Sequence, residues 1–326
     1  EITLPTGVDK DGKDRTAVCC LSSLNLEKYD EWEKDENFIG DIMRFLDNVL
    51  TDFIDNAPEQ FNDATYSAMR ERSVGLGVMG LHSFFQKKNI PLESVMSKVW
   101  NKKIFEHIQK KVDESSQVLA DERGACPDAA EYGINERFSN KTAIAPTASI
   151  SIICGGTSPG VEPIAANSYT HKTLSGSFNV RNKYLKKILE KYGKNDEETW
   201  SSITTNQGSV SHLNFLKQEE KDVFKTAFEL DQRWIVDLGA DRTPHISQAQ
   251  SINIFIPADI HKKDLHQIHF QAWKKGLKSL YYCRSKSIQR AENINSGSST
   301  DVTKNVYKSE ADDSNQNDYE ECLSCQ

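Results

Sequence analysis

The sequence lacks what a membrane or a nucleic acid would require. None of its 326 residues falls in a run of about 18 apolar residues, the length a helix needs to cross a bilayer. No signal peptide opens it. Basic residues are in deficit, 40 Lys and Arg against 48 Asp and Glu, for a net charge of −8. Phosphate backbones usually meet a basic face, so nucleic acid is not expected as a main partner. The seven cysteines are an odd number and do not read as a secreted disulfide framework. In a cytoplasmic protein, the expected location here, spaced thiols more often serve metal or redox chemistry. Beyond about residue 291 large apolar side chains nearly vanish, which predicts a mobile tail, residues 291–326, unable to build a core. Even the initiating Met is missing: the chain starts "EITLPTG", an apolar, β-prone run that reads as the middle of something longer.

What is present alternates between two periodicities. "FIGDIMRFLDNVLTDFI" (38–54) carries apolar residues at helical spacing. So does the stretch from "VWNKK", ended by Gly124 and Pro127. A third helix is predicted over 219–238. Short β-type runs lie at 142–146 ("TAIAP"), 252–257 ("INIFIP") and 279–284 ("SLYYCR"). Between the last two a helix is expected, with Asp259 as N-cap and Gly276 at its end. Strand, helix and strand in alternation argue for an α/β fold. With 326 residues the chain has length for one large domain or two ordinary ones.

Four motifs bear on chemistry. Gly75, Gly77 and Gly80 complete a G-x-G-x-x-G, but the dinucleotide motif needs a strand just before it. Here "YSAMRER" is polar and helix-prone, so the glycines predict a tight turn into a closely packed helix. In "APTASISIICGGTSPGVEP" a strand ends at Pro146 and small hydroxylated residues and glycines follow. Small side chains let backbone N–H groups converge on an anion, which would allow an acidic protein to hold phosphate without Lys or Arg. The alternative is a ligand-free Gly/Ser loop. Tyr281 and Tyr282, neighbours in a predicted strand, should face opposite sides, one toward the core and one toward an interface. Paired phenols can also relay a radical. Cys19 and Cys20 are adjacent, and Cys322 and Cys325 form a C-x-x-C near the C-terminus. Together the four suit a zinc site, or the terminal pair is a dithiol on a flexible tether. Cys126, Cys154 and Cys283 read as small buried residues.

Taken in order, these segments resemble one family, the large catalytic subunit of class I ribonucleotide reductase, and the resemblance runs from Glu1 to Gln326. "EITLP" is similar to the end of the family's Asn-x-Cys-x-Glu finger loop. "AVCCLSSLNL" resembles the segment with one of two substrate-reducing cysteines. "RSVGLGVMGLHSFF" and "ERGACP" resemble helical parts. "PTASISIICGGTSPGVEP" resembles the substrate-phosphate loop, "AWKKGLKSLYYCR" the segment with the radical-transfer tyrosines, and "ECLSCQ" the C-terminal thiol pair.

The resemblance implies the C-terminal part of a ten-stranded α/β barrel over residues 1–290, followed by the tail. It implies a ribonucleoside-diphosphate reductase that makes deoxyribonucleotides for DNA synthesis by radical chemistry. Glu1 would take the 3′-hydroxyl proton, and Cys19 would be one of the reducing pair. Pro146, Thr147, Ala148, Ser149 and Ile150 would hold the diphosphate. Tyr281 and Tyr282 would relay the radical. Cys322 and Cys325 would carry electrons from thioredoxin or glutaredoxin to a buried disulfide by thiol exchange. The helix over 259–276 would help form the groove for a peptide of the small subunit. That subunit would house a diiron or dimanganese tyrosyl radical, and nucleotide effectors would bind the N-terminal portion of the large subunit. Measured against the family, the radical cysteine, the other reducing cysteine, the effector loops and the ATP-cone fall upstream of Glu1. Such a boundary reads as a split gene, an intein-interrupted precursor or a clipped record, and a half-barrel should expose strand edges and apolar surface. The alternatives to an enzyme are a zinc-stabilised binding module and a thiol-exchange protein without catalysis.

Overall fold

The computed structural model describes residues 1–173 and 176–285. Its centre is a parallel wall whose segments lie side by side in sequence order. Leu21–Asn25 pairs along its length with Gly75–Met79, Leu21 opposite Gly75 and Asn25 opposite Met79. Leu76 bridges to Thr142, and Ile144 to Gln250. Ile254–Ile256 pairs with Cys283–Ser285. The ladder continues between these short strands: Ser251 N–H donates to Ile144 O at 2.9 Å, and Tyr281 N–H to Ile252 O at 2.8 Å.

Parallel neighbours need long crossovers, and helices supply them. Phe38–Asn56 buries Ile39, Met43, Leu46 and Leu50, a three-to-four-residue stripe facing the wall. Val95–Arg123 buries Ile104, Phe105, Ile108, Val112 and Leu119. Ser94 caps it by accepting the Ser97 N–H, and Gly124, at φ 88°, ends it. These stripes share one core with Leu24, Leu76, Val78, Ile144, Ile252 and Ile254 of the wall.

Several expectations change. The glycine motif is not a turn: Gly75–Met79 is a fully buried strand, and only Gly80, at φ 81°, turns the chain into the helix Leu81–Lys87. A Cβ on Gly77 would sit 2.2 Å from Ala143 O, so glycine here lets two wall segments approach. The helix predicted over 219–238 is two helices, Gln218–Val223 and Gln232–Arg242. Between them Thr226 donates its N–H and hydroxyl to Glu229, and Ala227 N–H pairs with Ile164 O. These bonds take backbone groups that a continuous helix would need. The helix Lys262–Lys274 is capped by His261 rather than Asp259.

A second, smaller core lies outside the wall. Leu185, Leu189, Trp200, Ile203 and Phe224, from Lys183–Lys191, Glu197–Thr205 and the Gln218–Val223 region, pack together. An antiparallel hairpin, Ser168–Thr173 with Gly176–Arg181, precedes it.

Candidate active site

Glu1 lies against the wall segment that runs through Gln248–Asn253. Ala249 N–H donates to Glu1 O at 2.9 Å, Ser251 Oγ to the Glu1 carboxylate at 2.6 Å, and Thr3 N–H to Gln248 Oε1 at 3.2 Å. The same segment receives the tyrosines from its other side. Ile252 O accepts the Tyr281 N–H, and Asn253 Oδ1 accepts the Tyr282 N–H at 3.0 Å. Contrary to the alternation expected of a strand, both tyrosines precede Cys283–Ser285 and their rings pack on each other, centroids 4.1 Å apart. Tyr281 is half-buried and Tyr282 exposed, with the Arg284 guanidinium 5.6 Å from the Tyr282 ring centre.

The loop after Pro146 leaves the same end of the wall. Thr147 is buried and left-handed, φ 55°, and caps the short helix Ala148–Ile153. Its hydroxyl accepts the Gly160 N–H at 2.7 Å, closing the loop's base. First-turn amides find no acceptor inside a helix; here that turn spans Ala148, Ser149 and Ile150, which run from half-buried to exposed. The loop's return is tied down: Lys183 Nζ donates to Glu27 at 2.8 Å and to Gly155 O at 3.1 Å, and Asn25 Nδ2 to Cys154 O at 3.4 Å. Burial and the adjacent Glu27 carboxylate push the Tyr184 phenol well above its usual range.

The adjacent cysteines part ways. Cys20 is 8% exposed and belongs to the core, its thiol 3.9 Å from Leu46 O. Burial, with Cys19 beside it, pushes its pKa up to about 11. Cys19 is exposed, at the end of Leu21–Asn25 away from the Asn25 contact with the loop after Pro146. Of the three cysteines read as buried, only Cys126 is; Cys154 and Cys283 are exposed, since one lies on the loop's outer turn and the other on a strand at the rim of the wall. Among the described residues no three His, Cys, Asp or Glu side chains are grouped as a metal would need. Cys322, Cys325 and the tail lie outside the described residues. The helix Lys262–Lys274 presents Phe270 and Trp273 to the surface, their rings 5.5 Å apart.

Comparison with known proteins fits this arrangement. The family model described as "Ribonucleotide reductase, barrel domain" matches residues 1–132 and 128–283. The chain belongs to the ribonucleotide reductase barrel-domain family. A ribonucleoside-diphosphate reductase large subunit of Invertebrate iridescent virus 6 is 51% identical over 300 residues, 91% of this chain and 31% of that protein. A counterpart from Invertebrate iridescent virus 3 is 44% identical over 92% of this chain and 47% of its own length. The Actinobacillus ureae class Id ribonucleotide reductase alpha subunit superposes with a TM-score of 0.78 at 39% identity, over 84% of this chain and 50% of that one. The chain thus spans about a third to a half of the reductase subunits it matches, and its α/β fold is the part of a barrel domain that the resemblance implied.

Ser251, Asn253 and Glu162 have no place among the residues the sequence singled out. The partners they meet lie 250, 29 and 91 positions away, so although Glu162 and Asn253 fall inside the quoted stretches 145–163 and 252–257, nothing local predicts these contacts.

Proposed function

We propose that this chain forms the C-terminal part of a ribonucleoside-diphosphate reductase large subunit, acting with the remaining portion of that subunit and a radical-generating small subunit. One observation carries the reading. A single wall segment, Gln248–Asn253, holds Glu1 through Ala249 and Ser251 and both tyrosines through Ile252 and Asn253. A proton acceptor and a pair of oxidisable phenols are thereby fixed to one rigid element, as radical chemistry on a bound nucleotide requires.

In this reading the first-turn amides at Ala148–Ile150 hold the diphosphate. Glu1 takes the 3′-hydroxyl proton, and the Ser251 hydroxyl aims its carboxylate. Cys19 and a second thiol from the rest of the subunit supply two electrons. The ribose 2′-hydroxyl leaves as water, the sugar is reduced, and the two thiols become a disulfide. Cys322 and Cys325 then exchange with that disulfide and are themselves reduced by thioredoxin or glutaredoxin. Tyr281 and Tyr282, in ring contact, pass the radical inward from the small subunit, whose cofactor, diiron or dimanganese, is the source of the oxidising equivalent. The exposed Phe270 and Trp273 suit the docking of that subunit's peptide. Nucleotide effectors would bind the N-terminal portion.

The test is the double change Cys322→Ser with Cys325→Ser in the full-length subunit, reconstituted with its small subunit. Single turnover of the pre-reduced enzyme should persist, thioredoxin-driven turnover should collapse, and dithiothreitol should restore part of it. Loss of the first turnover would make these cysteines structural or metal ligands and sink the shuttle.

A further inference from the structure

Glu162 and Asn253 sit where the phosphate loop meets the tyrosine segment. The loop's two ends are conformationally constrained, by strain at Thr147 and by a need for glycine at Gly160. Thr147, at φ 55°, holds a conformation β-branched residues seldom adopt. At Gly160, φ 46°, an added Cβ would come 2.8 Å from Ala145 O. Two residues on, Glu162 is 8% exposed, and its carboxyl faces the Asn253 amide and the Arg284 guanidinium. Burial holds that carboxyl above its ordinary range. Asn253 is 1% exposed. Its Oδ1 is used by the Tyr282 N–H. Its Nδ2 is buried and faces the Glu162 carboxyl. Such a group is costly unless satisfied, and the Glu162 carboxyl is the acceptor it meets, an interaction that lowers the carboxyl's pKa against the pull of burial.

We propose that Glu162 and Asn253 are a positioning pair that carries occupancy of the phosphate loop to the Tyr281–Tyr282 pair. With a diphosphate seated in the loop, Glu162 is held with it and stays bonded to the Nδ2–H. Asn253 is then held from both ends, and through Oδ1 it fixes the Tyr282 backbone so that the two rings stay in contact. Neither residue touches the substrate. The inference rests on the reading of the loop and the tyrosines given above.

The test uses the full-length subunit with its small subunit and 3-aminotyrosine in place of Tyr281, since an aminophenol is oxidised more easily and traps the radical. Trapped radical is read by electron paramagnetic resonance with and without cytidine diphosphate. The diphosphate should raise the signal in the parent. Glu162→Ala should cut that rise about tenfold while diphosphate affinity changes less than about twofold, as loss of a single hydrogen bond remote from the ligand implies. Glu162→Gln, which keeps an acceptor for Nδ2, should restore it; a merely structural loss would not separate signal from affinity. A parental response in Glu162→Ala overturns the proposal alone. A trap that stays empty in every protein overturns the relay reading and the proposal with it. If Glu162→Ala fails to fold, Asn253→Asp removes the donor and keeps Oδ1, and a full response there overturns the proposal.

Discussion

The two adjacent cysteines offer the sharpest quantitative test. An ordinary thiol near 9.0 is about one-tenth thiolate at pH 8. Pushed to about 11, Cys20 is about one-thousandth thiolate. The reactive form is therefore about a hundredfold scarcer, and core burial slows any alkylating agent further. Trypsin should release both thiols in one peptide, Thr16–Lys28, and fragmentation between them gives separate iodoacetamide rates. Cys20 should be modified at least about a hundredfold more slowly than a thiol at the ordinary value. The stabilities should diverge as well. Cys20→Ser places a shorter hydroxyl where sulfur only just reaches Leu46 O, and the poorly satisfied group should cost about 1–3 kcal/mol in urea unfolding. Cys19→Ser, at an exposed site, should change stability by no more than about 0.5 kcal/mol, yet abolish even the first turnover. Equal alkylation rates, or a first turnover lost with Cys20→Ser and kept with Cys19→Ser, would refute the assignment.

Three further outcomes follow from named contacts. Ala148→Pro deletes a first-turn donor and crowds Thr147, so diphosphate affinity should fall by about tenfold or more, against less than about twofold for Ser149→Ala; equal small effects in a binding titration would remove the phosphate role. Gly77→Ala should destabilise by about 1–3 kcal/mol or more, because the obstructing atom is Ala143 backbone, whereas Gly40→Ala, in a helix with only Ser115 Oγ nearby at 3.5 Å, should stabilise by about 0.5–1 kcal/mol; urea midpoints decide both. His82 accepts the Ile164 N–H on Nδ1, and burial lowers its pKa to about 3. Its contribution is therefore complete above 6.5 and is lost as pH falls from 6.5 toward 3. Between pH 7 and 5 the parent should lose about 2 kcal/mol more than His82→Asn, which keeps an acceptor and does not titrate.

The layer order and the chemical inventory were legible in the residues themselves. Apolar periodicity marks Phe38–Asn56 and Val95–Arg123 because a stripe every three to four residues has one use, burial against a wall. The motif order placed the glycine- and serine-rich loop after Pro146, the tyrosines and the cysteines along the chain, since each depends on neighbours within a few residues. The tertiary structure decided what depends on distant partners. Gly75 and Gly77 read as a turn because a buried parallel strand leaves no local alternation, and the backbone of Ala143, some 66 positions from Gly77, sets the need for glycine. The tyrosine rings meet because hydrogen bonds to Ile252 and Asn253 hold their backbone outside regular strand geometry. Cys19 and Cys20 are alike in sequence; packing against Leu46 buries one and leaves the other exposed. Ser251, Asn253 and Glu162 acquire roles only when the wall brings remote segments into contact, because their hydrogen bonds are made across the fold and not along the chain.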